Sequence, residues 1–141
     1  MRLNTASQVI SFARKIEEDG ASFYETAAKR YRENSDILLG FARENRKNIT
    51  RVERAYYSGI TDAIEGGFTF DIDPEEYASQ GGDLTNPNYN NTMGAAIEME
   101  GRTARFYEKA AEQSKSLMAD VTRVFTAMAR LRNERQEKLG A

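Results

Sequence analysis

Two glutamates occupy equivalent places in a repeated segment of this 141-residue chain, and they are the first candidates for chemistry. Glu17 opens the stretch EEDGASFYETAA, and Glu100 opens the similar stretch EGRTARFYEKAA. Each glutamate precedes a Phe-Tyr pair, so that Tyr24 and Tyr107 follow at the same Glu-x6-Tyr spacing. This shared spacing favours a duplicated helical hairpin over a chance likeness of two amphipathic helices. Two buried acids require protonation, a metal or nearby cations.

Polar residues interrupt the apolar stripes of two further predicted helices. Positions 38, 41, 45, 48, 52 and 55 share one helix face, as do positions 118, 121, 125, 128, 132, 135 and 139. Asn45 and Asn48 therefore point inward from the predicted helix that holds positions 38–55. Arg132 and Arg135 point inward from the one that holds positions 118–139. The neighbouring acid Glu44 is rotated by about 100° from this face and is predicted to be solvated.

The helical rise places all of these groups at a similar height. Counted from the two predicted hairpin turns, Glu17, Glu100, the asparagine pair and the arginine pair lie within about one or two helical turns of a common level. The sequence therefore predicts an internal layer of two acids, two arginines and two amides.

The composition excludes several common kinds of catalytic and metal site. Cysteine and histidine are both absent, which removes disulfides, thiolate metal sites, catalytic triads and imidazole ligands. A net charge of −2 gives no global field toward nucleic acid or an anionic membrane. No apolar run reaches the roughly 18 residues of a membrane span, and no signal peptide is recognisable. We expect a cytoplasmic protein that binds neither nucleic acid nor membrane.

Four amphipathic helices are predicted to position these groups, over about residues 5–32, 36–63, 92–114 and 117–139. Between them, residues 65–91 hold both prolines and two Gly-Gly pairs, which indicates a long irregular crossover. Its aromatic residues Phe68, Phe70 and Tyr77 are expected to cap the open end of the helices. The pattern predicts one all-α domain over 1–141, a ferritin-like four-helix bundle of two hairpins joined by the crossover.

The chain resembles the rubrerythrin-like branch of the ferritin-like superfamily over most of its length, and most specifically in the duplicated Glu-to-Tyr segment. The resemblance implies a di-iron site with one Glu from each of two helices and a Glu-x-x-His from each of the others. Glu17 and Glu100 match the two single carboxylates. The other four ligand positions are substituted, and they hold Asn45, Asn48, Arg132 and Arg135. A further carboxylate is often present in the family one turn after the second Glu, and this chain has Thr103 at that position.

Arginine is a permanent cation without a lone pair, so it repels a metal ion but compensates buried acids. We predict that a buried Glu/Arg/Asn network has replaced the metal, with Tyr24, Tyr107 and Thr103 as possible second-layer partners. The alternative is that both arginines reach to the bundle mouth and interact with the C-terminal end of their helix. For the tyrosines, core packing is favoured over a redox role.

Three functions are compatible with these residues. The first is a non-catalytic structural or accessory protein without metal or cofactor, which acts through its surface. We expect it to be a homo-oligomer, and specifically a dimer. The crossover is a candidate protein-binding surface. The second, implied by the resemblance, is a di-iron oxidoreductase that reduces peroxide or oxidises iron. The third is a small anion-binding module built on Arg132 and Arg135.

Overall fold

The computed structural model describes residues 2–59, 70–78, 88–114 and 119–140. Four helices make up most of this part of the chain: α1 (Ala6–Arg30), α2 (Ser35–Gly59), α3 (Tyr89–Ser114) and α4 (Ala119–Gly140). Within these residues there is no strand beyond one isolated antiparallel bridge between Leu3 and Ile72. The prediction of an all-α four-helix bundle is confirmed.

The ends of α1 follow from local hydrogen bonding. Thr5 and Gln8 form a capping box, in which the Thr5 hydroxyl accepts from the Gln8 backbone and the Gln8 amide oxygen accepts from the Thr5 backbone. The helix was predicted to extend to about residue 32 and is two residues shorter. The helix ends at Arg30, and Arg32–Asn34 form a tight 3-10 turn that leads directly into α2.

The start of α3 differs from the prediction in the opposite direction. The crossover was expected to continue to residue 91, but α3 begins at Tyr89 because the Asn88 side chain accepts a hydrogen bond from the Asn91 backbone N–H at 2.8 Å. The Asn-rich stretch therefore caps a helix as well as ending a loop. The predicted tail of helix 2 over 60–63, Phe68, and the apolar position Met118 lie outside the described residues.

Contacts between helices define the direction of each one. Phe12 packs against Phe106 near one end of the bundle, and Tyr31 packs against Tyr89 near the other, so α1 and α3 are antiparallel. The short turn Arg32–Asn34 makes α1 and α2 antiparallel as well. Consequently α2 and α3 run in the same direction.

The apolar core is divided into two clusters by a polar layer. One cluster lies around Val9, Phe106 and Phe125, and the other lies around Tyr24, Leu38 and Ala96. On α1 the first cluster stops at Ala13 and the second begins at Ala21; on α3 they are separated by residues 100–105. The interval between the clusters is the height at which the predicted layer of acids, arginines and amides lies.

The described part of the crossover completes the first cluster. Phe70 and Ile72 are buried in it, and the Ile72 backbone exchanges hydrogen bonds with Leu3. Tyr77 packs edge-on against Phe106, with ring centroids 5.8 Å apart. Phe70 and Tyr77 thus contribute to this end of the bundle as expected. No helix in the described ranges has both the length and the apolar character needed to cross a membrane.

Candidate functional site

The six residues singled out from the sequence meet in the layer between the two apolar clusters. Each is at most 2% exposed, although all six are polar or charged. Such groups are stable inside a protein only when they are paired with one another. The six are Glu17, Asn45, Asn48, Glu100, Arg132 and Arg135.

Arg132 on α4 joins the two buried acids. Its Nη1 donates to Glu100 Oε2 at 2.6 Å, and its Nη2 donates to Glu17 Oε2. Because Glu17 lies on α1 and Glu100 on α3, one guanidinium group ties three helices together. The planar fork of arginine suits this arrangement, since its two terminal nitrogens reach different carboxylates.

Arg135, one turn further along α4, links the buried layer to a residue at the surface of the bundle. Its Nη1 donates to Glu100 Oε1 at 3.1 Å and to Asn45 Oδ1 at 2.6 Å. Its Nη2 donates to Glu44 Oε1 at 2.5 Å. Glu44 is 45% exposed, so Arg135 connects a fully buried acid to one at the surface.

The two asparagines of α2 complete the partners of Glu17. Asn48 Nδ2 donates to Glu17 Oε1 at 3.1 Å, and Asn45 Nδ2 donates to the Glu17 backbone carbonyl at 3.5 Å. Asn45 fits here because α1 has a glycine opposite it. A Cβ atom on Gly20 would lie 2.5 Å from Asn45 Nδ2. A side chain at position 20 would therefore displace the Asn45 amide from its present place in the network.

The two tyrosines of the repeated segment differ in their environments. Tyr24 donates its hydroxyl hydrogen to Glu100 Oε1 at 2.6 Å. The Tyr107 hydroxyl is buried and has no hydrogen-bond partner among the described residues. Glu17 accepts from Arg132 and Asn48 and not from Tyr107, so the two halves of the repeat are not equivalent in their hydrogen bonds. Thr103 is buried nearby but makes no hydrogen bond to the described network.

Glu44 is the member of the network that the sequence argument missed. It was predicted to be solvated because it is rotated away from the inward face of α2, and it does remain partly exposed. Its side chain is nevertheless long enough to reach Arg135 from the edge. The sequence did hold a signal: Glu44 directly precedes the inward amide Asn45, and Arg135 has more hydrogen-bond donors than Glu100 and Asn45 can accept.

The electrostatics of the two core acids are unequal. Burial raises the pKa of Glu17 above its ordinary value, although Arg132 and the hydrogen bond from Asn48 oppose this. Burial acts in the same direction on Glu100, but Arg132, Arg135 and the Tyr24 hydroxyl outweigh it and lower the pKa of Glu100. Glu100 is therefore the more firmly ionised acid.

The arginine and tyrosine pKa values shift in the direction that keeps the network in one charge state. Arg132 is fully desolvated, yet Glu17 and Glu100 raise its pKa. Burial and the neighbouring acids raise the pKa of Tyr24 and of Tyr107, which keeps both phenols neutral. The ionised forms of Glu17, Glu100, Arg132 and Arg135 sum to zero charge inside the bundle.

This set of side chains does not fit a di-iron centre. Such a centre needs several carboxylates and neutral donors around four or more positive charges. The two carboxylates present are held by a guanidinium group, which is a cation without a lone pair. In the described ranges, no group of three or more His, Cys, Asp or Glu residues is placed to hold a metal ion.

The fold and the site together define an all-α four-helix bundle with a buried, charge-balanced network of ion pairs and amides. No protein-family model, curated protein or solved structure matches the chain.

Proposed function

We propose that this chain is a non-catalytic, metal-free member of the rubrerythrin-like group, in which the Glu/Arg/Asn network takes the place of the di-iron centre. The observation that carries the proposal is the contact of Arg132 with both Glu17 and Glu100. A guanidinium group in that position supplies the positive charge that two buried carboxylates require, and it leaves neither of them free to bind metal.

The direction of the helices supports the same relationship. Parallel α2 and α3 joined by one long connection are typical of ferritin-like bundles, whereas simple up-down bundles use short connections throughout. The network lies in the interior at mid-height, between the two apolar clusters. A structural or accessory role follows, because the interior then holds the helices together without binding a ligand, and contact with other molecules is left to the surface.

The two other functions have less support. A di-iron oxidoreductase would need ligands at four positions that hold arginine and asparagine. An anion-binding module would need space beside Arg132, where the adjoining cavity measures about 20 Å³ and is too small for a phosphate or carboxylate ligand. The homodimer, the crossover as a partner surface and the cytoplasmic location stay predictions.

Metal analysis tests the proposal. The protein is produced in medium supplemented with iron and manganese, and its metal content and visible absorption spectrum are measured after purification. We expect only trace metal and no absorption band from an iron cluster. The double variant Glu17→Gln, Glu100→Gln is the matched control, because it lacks the two candidate carboxylates. A stoichiometric metal content in the wild type that the control loses would overturn the proposal.

A further inference from the structure

One donor atom of the central arginine is left without a partner. Arg132 is 1% exposed, and both of its terminal nitrogens are engaged by Glu17 and Glu100. Its Nε atom is buried and has no hydrogen-bond partner among the described residues. An unpaired buried donor costs about 1–3 kcal/mol, and such groups in native proteins commonly bind ordered water.

A small cavity adjoins the same arginine. It lies between α1 and α3, has a volume of about 20 Å³ and is lined by Arg132, Gly20 and Thr103 among others. Toward the surface its lining includes Lys15 and Asp19, which form an exposed ion pair at 2.7 Å. A water molecule needs about 10–15 Å³ of such space together with two or more polar partners. The cavity has room for one water molecule.

We propose that a single water molecule occupies this cavity, accepts a hydrogen bond from Arg132 Nε and is held on its other side by the Thr103 hydroxyl. The charge balance favours a neutral ligand over an anion, because Glu17 and Glu100 already neutralise Arg132 and would repel a further negative charge. The inference concerns hydration of the network, and it stands whether or not the network replaced a metal.

The water gives Thr103 a role that the direct contacts do not. With Nε bonded as well as both terminal nitrogens, the guanidinium plane of Arg132 is fixed on three sides. Thr103 then acts as a positioning residue for Arg132 through the water.

Crystal structures of three proteins test this inference: the wild type, Thr103→Val, and the control Thr92→Val. Thr92 lies on the same helix and is equally buried at 3%, but it bonds to Tyr31 and does not line this cavity. We expect one ordered water within hydrogen-bond distance of Arg132 Nε in the wild type and in the control, and its loss in Thr103→Val.

Two results would overturn the inference. The first is an empty cavity in the wild type, and this result does not depend on whether any variant folds. The second is an anomalous signal at the cavity after the crystals are soaked in bromide, which would identify an anion site instead. Retention of the water at the same place in Thr103→Val would contradict the part assigned to the hydroxyl.

Discussion

At the scale of single residues, Arg132 contacts both buried carboxylates, so its removal strands two acids at once. We expect Arg132→Leu to destabilise the wild type by about 3–5 kcal/mol, as is typical when one partner of a buried ion pair is lost. In a Glu17→Gln, Glu100→Gln background the same substitution is expected to cost much less. Urea unfolding of the four proteins measures the coupling. Equal losses in both backgrounds would show that Arg132 is not coupled to these acids.

The two tyrosines of the repeat allow a matched comparison. Tyr24→Phe removes a 2.6 Å hydrogen bond to an ionised carboxylate and is expected to cost about 1.5–3 kcal/mol. Tyr107→Phe removes a buried hydroxyl that has no described partner and is expected to be neutral or stabilising. The midpoints of urea unfolding measure both. A larger loss in Tyr107→Phe than in Tyr24→Phe would contradict the asymmetry.

The unequal pKa values of the two acids predict opposite pH dependences. Folding raises the pKa of Glu17, so the folded state holds that proton more tightly and stability falls as the pH rises from 4.5 to the raised value. Folding lowers the pKa of Glu100, so its contribution is present above pH 4.5 and is lost as the pH falls through the lowered value.

Stability measured against pH for the wild type, Glu17→Gln and Glu100→Gln separates the two acids. Glu17→Gln is expected to flatten the profile above pH 4.5, and Glu100→Gln to weaken the loss of stability below it. A change on the same side of pH 4.5 in both variants would contradict the assignment.

At the scale of the helices, Gly20 on α1 leaves the space that the Asn45 amide of α2 occupies. Gly20→Ala places a Cβ atom 2.5 Å from Asn45 Nδ2 and displaces an amide that also accepts from Arg135. The control is Gly94→Ala on α3, where a Cβ atom meets nothing within 4 Å. We expect Gly94→Ala to stabilise the protein by about 0.5–1 kcal/mol and Gly20→Ala to destabilise it. Thermal unfolding of both variants measures this, and a stabilised Gly20→Ala would be contrary to the described packing.

Helix positions were readable from the sequence where a local rule decides them. The Thr5–Gln8 capping box marks the start of α1 because both partners lie within one turn. The start of α3 was missed, because an Asn-rich stretch favours a loop and a helix cap alike, and the cap forms at Asn88. The end of α1 was missed because the apolar pattern continues to Tyr31, although the chain turns into the 3-10 segment Arg32–Asn34.

The candidate site was readable to a similar extent. Helical periodicity alone brings the four residues of α2 and α4 to the inward face, and the structure places them there. Periodicity gives the direction of a Cβ atom but not the reach of a long side chain, so the contact of Glu44 with Arg135 was missed. It also cannot separate Tyr24 from Tyr107, since the local sequences agree and only the partners across the bundle differ.

At the scale of the whole molecule, the bundle has two apolar clusters and a charge-balanced layer between them. A buried ion-pair network adds little net stability compared with an apolar core, but it is costly to break at any one member. Its hydrogen bonds join all four helices, so a shift of any one helix along the bundle would break some of them. A metal centre with ligands from four helices would hold them together in a similar way, and this shared effect is the physical content of the proposed replacement.

Introducing the ligands of a di-iron site tests the proposed relationship at the level of the whole fold. If the helices have the spacing of rubrerythrin-like bundles, carboxylates and imidazoles at the four positions are expected to confer iron binding, measured by iron titration and visible spectroscopy. A folded variant that binds no iron would show that the helices do not have that spacing. The substitutions are Asn45→Glu, Asn48→His, Arg132→Glu and Arg135→His.

The proposal depends on a guanidinium group standing between Glu17 and Glu100 in place of a metal centre. It is tested most directly by a crystal structure of the wild type, purified from medium rich in iron and manganese and measured at the absorption edges of both metals. We expect continuous density for the Arg132 side chain between the two carboxylates and no anomalous peak there. A dinuclear anomalous peak between Glu17 and Glu100, with Arg132 turned away, would contradict it.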